Sequence, residues 1–159
     1  MMNEIDTFFH KYGAVVEGLA QAAEMVPDNK ILFKPSTDSL PWIYLIFHPS
    51  VHWIILQKAL EGNPDHGFPA AFRAPENRVK DGKEAAQRIR KGWEDFQTYI
   101  KSKPEGWLQE NVTAPWGEKM RVMDILWWLY EEGTHHRGQA WVYSRINGIK
   151  PPKIWGTEP

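Results

Sequence analysis

Glu132 and His136 stand four residues apart near the end of the sequence. On a helix, positions i and i+4 lie on one face a turn apart. A carboxylate oxygen and an imidazole nitrogen would then point at one spot, and such a pair can share a divalent cation. His48 and His52 repeat the spacing earlier in the chain. If the two faces meet, His48, Glu132 and His136 converge, with His52 as the alternative ligand from its helix. Two imidazoles and one carboxylate with an open position describe a catalytic zinc-type or non-haem iron-type site. A plainer reading stands beside it. A histidine on an apolar face can be a hydrogen-bonded core residue. Glu132 and His136 can be a buried ion pair, which desolvation makes a weak stabiliser. Glu131 and His135 share the spacing on a neighbouring face and are expected to be exposed. Glu132 to His135 also fits the E-x-x-H of carboxylate di-iron bundles, but the second copy that such centres need is missing.

Four amphipathic stretches must position these residues. Ile5, Phe8, Phe9, Tyr12, Val15, Val16, Leu19, Ala22 and Ala23 form the stripe of a first helix, ended by Pro27-Asp28-Asn29. A second helix, capped by Asp38 or Ser39 with Pro41 in its first turn, carries Tyr44, Phe47, His48, Val51, His52 and Ile55, and stops near Gly62. Pro49 inside it should remove one backbone hydrogen bond and kink it. Residues 63–80 read as an irregular connection. A third helix over about 81–102 turns Ala85, Ile89, Trp93, Phe96 and Ile100 inward and presents a face of mixed charge to water. Residues 111–113 look extended. The last helix, about 120–147, carries Val122, Ile125, Leu126, Leu129, Glu132, Gly133, His136, Ala140 and Tyr143, with Gly148 at its C-cap. The pattern predicts an all-α four-helix bundle in a single domain over residues 1–159. The long connections at 27–38 and 63–80 permit a topology other than simple up-down-up-down.

Composition removes other functions. The 159 residues hold no cysteine, which excludes disulfides, thiolate ligands, iron–sulfur clusters and a thiol nucleophile. There is no glycine-rich phosphate loop, no H-E-x-x-H and no G-x-S-x-G. Nineteen Lys and Arg against 20 Asp and Glu give a formal charge of −1, which argues against nucleic acid and anionic membranes as partners. Mean hydropathy is −0.53. The longest apolar run, about Leu40 to Trp53, is too short to span a bilayer. No basic and apolar leader is seen at the N-terminus, so a cytoplasmic location is expected. Tryptophan is abundant, at nine residues, and this type concentrates in cores, pockets and interfaces.

The string His135-His136-Arg137-Gly138-Gln139, followed by Tyr143 to Gly148 and Pro151-Pro152, resembles the DinB/YfiT-like superfamily. Leu40-Pro41-Trp42 through His48 resembles its second-helix segment. The resemblance implies an up-down-down-up bundle, a homodimer, and a divalent metal (Zn, Ni, Fe or Mn) held by one helix-2 histidine and two histidines four apart on the last helix. His48 and His136 match two of those positions; the third falls on Glu132, where the family usually has histidine. The resemblance also implies a thiol S-transferase acting on a small molecule with bacillithiol, mycothiol, glutathione or a similar low-molecular-weight thiol. A metal centre that lowers the pKa of bound water supports hydrolysis as well. The alternative is a non-catalytic helical dimer with a degenerate metal site that binds a small molecule or partner. Arg137 would either anchor a cofactor carboxylate or tie the last helix to its neighbours, and Trp128 and Tyr44 join it as expected substrate contacts. Trp127, Trp128, Tyr130 and Trp141 would wall a pocket or build a dimer interface. Gly133 and Gly138, unfavourable inside a helix, imply close packing or room for a ligand.

Overall fold

A computed structural model describes residues 2–63, 78–104 and 106–152. It contains α1 (Glu4–Glu24), α2 (Trp42–Leu60), α3 (Gly82–Lys101), the strands β1 (Asn111–Thr113) and β2 (Lys119–Arg121), and α4 (Val122–Ile146). Single 3-10 turns lie at Asp28–Lys30 and Trp107–Gln109. Most of the connection expected at 63–80 lies outside the described residues.

Side-chain contacts fix the direction of each helix. Arg90 of α3 bonds Glu17 and Glu24, while Trp93 packs on Phe9, so α1 and α3 run antiparallel. Trp127 of α4 meets Glu4 and Phe8, and Arg137 meets Gly18, so α1 and α4 run parallel. Trp42 of α2 meets Tyr143 and His48 meets His136, so α2 and α4 are antiparallel. Arg88 lies over Phe47 and Gly92 against Trp53, so α2 and α3 are parallel. The chain order is therefore up-down-down-up, with α1 and α2 on one diagonal of the bundle and α3 and α4 on the other.

The sequence pattern places the core well. Ala85, Ile89, Trp93, Phe96 and Ile100 are all buried, as are Phe8, Tyr12, Val15, Val16, Leu19, Ala22 and Ala23 of α1, while Ile5 and Phe9 of the expected stripe are partly buried. Phe8, Tyr12, Trp53, Trp93 and Phe96 form one aromatic cluster, and the Trp53 indole donates to the buried Tyr12 hydroxyl at 3.0 Å. Burial pushes the Tyr12 phenol above its ordinary range. Helix α2 departs from the expected stripe: it is buried nearly all round, from Trp42 to Leu60, and helical geometry continues through Pro49.

Two boundaries differ for physical reasons. Neither Asp38 nor Ser39 caps α2; the helix begins after Pro41, and its Trp42 and Ile43 amides donate to the carbonyls of Phe33 and Ile31. The preceding connection thus satisfies orphan N–H groups that a side-chain cap would otherwise take. The last helix begins at Val122 rather than about 120, because residues 119–121 pair with 111–113 in an antiparallel hairpin. Its turn has Pro115 at the first corner and Gly117 at φ +96°, with the Gly117 amide donating to Ala114 and the Ala114 amide to Glu118. Only glycine adopts that φ without strain, which matches a three-residue hairpin loop closed by a glycine bulge. At the far end of α4, Gly148 takes φ +71° and ends the helix as expected.

The two glycines of α4 separate. A Cβ on Gly133 would lie 2.7 Å from the Tyr12 ring and 3.1 Å from Val15, so α1 and α4 pack closely there. A Cβ on Gly138 would meet nothing within 4 Å. Gly133→Ala should destabilise the protein by about 1–3 kcal/mol through overpacking. Gly138→Ala should stabilise it by up to about 1 kcal/mol through helix propensity. Urea unfolding of both variants checks this, and effects of the same sign would contradict it.

Candidate metal centre

The α2–α4 contact brings two i,i+4 pairs face to face. His48 and His52 are one turn apart on α2, with ring centroids 4.6 Å apart. From α4, the His136 ring lies 4.6 Å from that of His48, and its Nε2 is 3.0 Å from Glu132 Oε2. His48, His52 and Glu132 each offer a ligand atom, all within 4.8 Å of one another. The sequence-derived residues His48, Glu132 and His136 are thus neighbours, and His52 joins them rather than standing as a remote alternative. The other pair behaves as expected: Glu131 and His135 are exposed.

The donor set fits a divalent cation. Two ligands each about 2.0–2.2 Å from one zinc ion are at most about 4.4 Å apart, so small side-chain shifts would draw these atoms together. The Glu132–His136 separation of 3.0 Å suits adjacent ligands of one ion, and it equally suits a direct hydrogen bond. The Nδ1 of His136 bonds Gln139 Oε1 at 3.0 Å. In this arrangement Nε2 donates to the Glu132 carboxylate; an ion shared with Glu132 would take the Nε2 lone pair in place of that proton, with Nδ1 kept on Gln139. A second hydrogen bond of this kind commonly orients metal-ligating histidines, and Gln139 of the sequence string is its partner here.

Electrostatics favour the ligand-competent forms. Burial, reinforced by the neighbouring His136, pushes the His48 imidazole down to about 4. Burial and the adjacent His48 push His52 down to about 3. Both are therefore neutral at pH 7, and a cation need not displace a proton from either. Glu132, half-buried, is held below the usual carboxylate range by its hydrogen bond to His136. It supplies the negative charge of the cluster.

The expected substrate contacts divide. Trp128, one turn before Glu132, lies with its ring 5.3 Å from His52 and borders the cluster. Tyr44, one turn before His48, is partly buried against the core. Arg137 is turned to the α1 side: its stem lies 3.0 Å from the Cβ position of Gly18, and its guanidinium stacks over Trp141 at 5.2 Å. Burial lowers its pKa. It makes no ion pair among the described residues, so the helix-tying contact here is packing rather than charge. Of the four aromatics around the motif, Trp127 bonds Glu4 and packs on Phe8, Tyr130 packs on Trp127, and Trp141 lies under Arg137; only Trp128 reaches the cluster. Trp116, absent from the sequence-derived set, packs on Trp128 from the hairpin turn at 4.7 Å. The turn sequence Pro115-Trp116-Gly117 between two extended segments was the signal for it. A groove of about 500 Å³, lined by Phe47, Trp53, Ile54 and Arg88 among others, opens on the α3 side of α2, away from the cluster.

A model of the DinB family matches residues 69–158, more than half of the chain. The chain belongs to the DinB family. The matched region contains Glu132 and His136 and lies downstream of His48 and His52. Among solved structures, the fold is similar to a DinB-like protein from Bacillus cereus, with TM-score 0.76 and 16% identity over 95% of this chain and 97% of that one. It is also similar to a DinB-like protein from Bacillus subtilis, with TM-score 0.72 and 16% identity over 94% and 97%. At that identity the likeness speaks for the fold. No curated protein sequence matches this chain. No helix among the described residues is long and apolar enough to cross a membrane.

Imidazoles held neutral by burial make stability fall in acid. The unfolded chain takes up protons near pH 6.5 that folded His48 and His52 refuse, so the loss begins as pH falls below 6.5 and grows toward about 4. For metal-free protein, urea unfolding at pH 5.5 should show about 1 kcal/mol less stability per imidazole than at pH 7.5. In a His48→Gln, His52→Gln variant the slope should flatten. An unchanged slope would contradict the assignment.

Proposed function

We propose that this DinB-family chain is a divalent-metal-dependent enzyme whose ion is held by His48, Glu132 and His136, with His52 completing the donor set. The convergence of His48, His52 and Glu132 within 4.8 Å, with His136 in contact, carries this reading. Glu132 stands where the family resemblance places a histidine, yet three imidazoles are still present because His52 lies in the cluster. Four protein ligands would close a tetrahedral zinc site but leave positions open on a six-coordinate ion such as Ni, Fe or Mn. A bound ion supplies a Lewis acid that brings a thiol or water toward deprotonation at neutral pH. The chain's own part is to keep His48 and His52 neutral by burial, to place one negative charge at Glu132, and to orient His136 through Gln139. Lacking cysteine, it takes any thiol from a small cosubstrate. The reaction proposed is transfer to a low-molecular-weight thiol, with hydrolysis as the variant in which water takes the thiol's place.

A second reading is favoured by one observation. The 3.0 Å contact between Glu132 and His136 satisfies both groups directly, as in a degenerate site of a non-catalytic binding protein.

Elemental analysis of untagged protein purified without chelator separates the two. The expected result is near one equivalent of one metal, reduced at least tenfold in Glu132→Ala and in His136→Ala. No metal after addition of Zn²⁺, Ni²⁺ or Mn²⁺ would overturn the enzyme reading and leave the binding protein. Metal retained in both variants would overturn the ligand set.

A further inference from the structure

The wall of the site nearest His52 is aromatic and continues outward. Trp128 lies against His52 with ring centroids 5.3 Å apart, and Trp116 lies against Trp128 at 4.7 Å with planes inclined by 48°. Trp116 sits at the hairpin turn between Pro115 and the left-handed Gly117, and its indole N–H donates to Glu118 Oε2 at 3.1 Å. The turn and that bond hold the ring in place, although its side chain is among the large apolar ones left at the surface. The two indoles, Met120 and Glu118 line an open cleft of about 470 Å³. Three of these four side chains offer flat or polarizable apolar surface, and the only charge is negative.

We infer that this cleft is a subsite for an aromatic group that carries no negative charge. An aromatic ring gains offset or edge-to-face packing on an indole. A cationic substituent gains further from the negative ring face and from Glu118. The Met120 thioether adapts to the edge of such a ring. An anion would meet the like charge of Glu118, which is exposed and screened by salt, so the repulsion is read at low ionic strength. Trp128 both lines the cleft and packs on His52, so in the inferred pose a ligand seated there directs its other end past that indole toward the cluster of His48, His52, Glu132 and His136. That orientation rests on the metal-enzyme reading; the affinity of the cleft does not.

The test uses the full chain and three matched probes: benzyltrimethylammonium, benzyl alcohol and benzoate. Binding is followed by NMR of the indole N–H resonances, with metal content measured on the same samples. The first two probes should shift the Trp116 and Trp128 signals, with benzoate at least tenfold weaker. Trp116→Ala should weaken the first two about tenfold, Trp116→Phe should retain them, and Glu118→Gln should bring benzoate close to benzyl alcohol. Metal content should be the same in all three variants. Equal binding of the three probes to the wild type, or unchanged binding in Trp116→Ala, would overturn the inference. Metal binding without probe binding would remove the subsite alone; probe binding at Trp116 without metal would remove the enzyme reading and leave the subsite.

Discussion

The rotation of α4 about its own axis governs the rest of the site, and the close approach of Gly133 to Tyr12 and Val15 sets that rotation. Any side chain larger than hydrogen at position 133 would push α4 off α1. With Gly133 seated on α1, the adjacent Glu132 and the following His136 fall on the α2 side. One residue further along, Arg137 is carried around toward Gly18 of α1. A single glycine therefore separates the residues of one short string into site members and packing members. The aromatic cluster behind Tyr12 makes this contact stiff, because Tyr12 is held by the Trp53 indole and by stacking on Phe8.

The opposing pair needs a different kind of control. His48 and His52 lie on the most deeply buried helix of the bundle. Burial keeps both imidazoles in the neutral form, which is the form that binds cations. The same burial has a cost in acid, since an unfolded chain can protonate them. A site of this kind concentrates its charge in one group, Glu132, whose carboxylate stays ionised because His136 donates to it. Placing the charged member on α4, where solvent still reaches it, avoids sealing an unpaired carboxylate in the core.

Local periodicity made the helices, most of the core and the four residues of the candidate cluster readable from the sequence. Two i,i+4 pairs on apolar faces needed only the assumption that the faces meet. What escaped was set by non-local competition. The first-turn amides of α2 are taken by Phe33 and Ile31 carbonyls from a connection without periodicity, so a plausible cap at Asp38 or Ser39 goes unused. The start of α4 lost its first residues to strand pairing with 111–113, because an apolar pattern does not register a cross-strand hydrogen bond. Arg137 could not be placed, since its neighbour in sequence faces another helix. The choice between His48 and His52 was not a choice in the structure, because both point to α4.

The hairpin is the one sheet among the described residues; only its first strand, at 111–113, is expected from the sequence as extended, and its turn adds an aromatic wall beside the site. Helices α2 and α4 carry the candidate donors, and Trp128 of α4 continues from His52 to Trp116 of the turn. A rigid turn can hold a large side chain in place. Pro115 and Gly117 fix the backbone on either side of Trp116, Glu118 fixes its indole, and Trp128 links it to the donors below. The hairpin leads directly into α4, with the Val122 amide bonded to Glu110. The position of Trp116 is thereby tied to the same helix that carries Glu132 and His136.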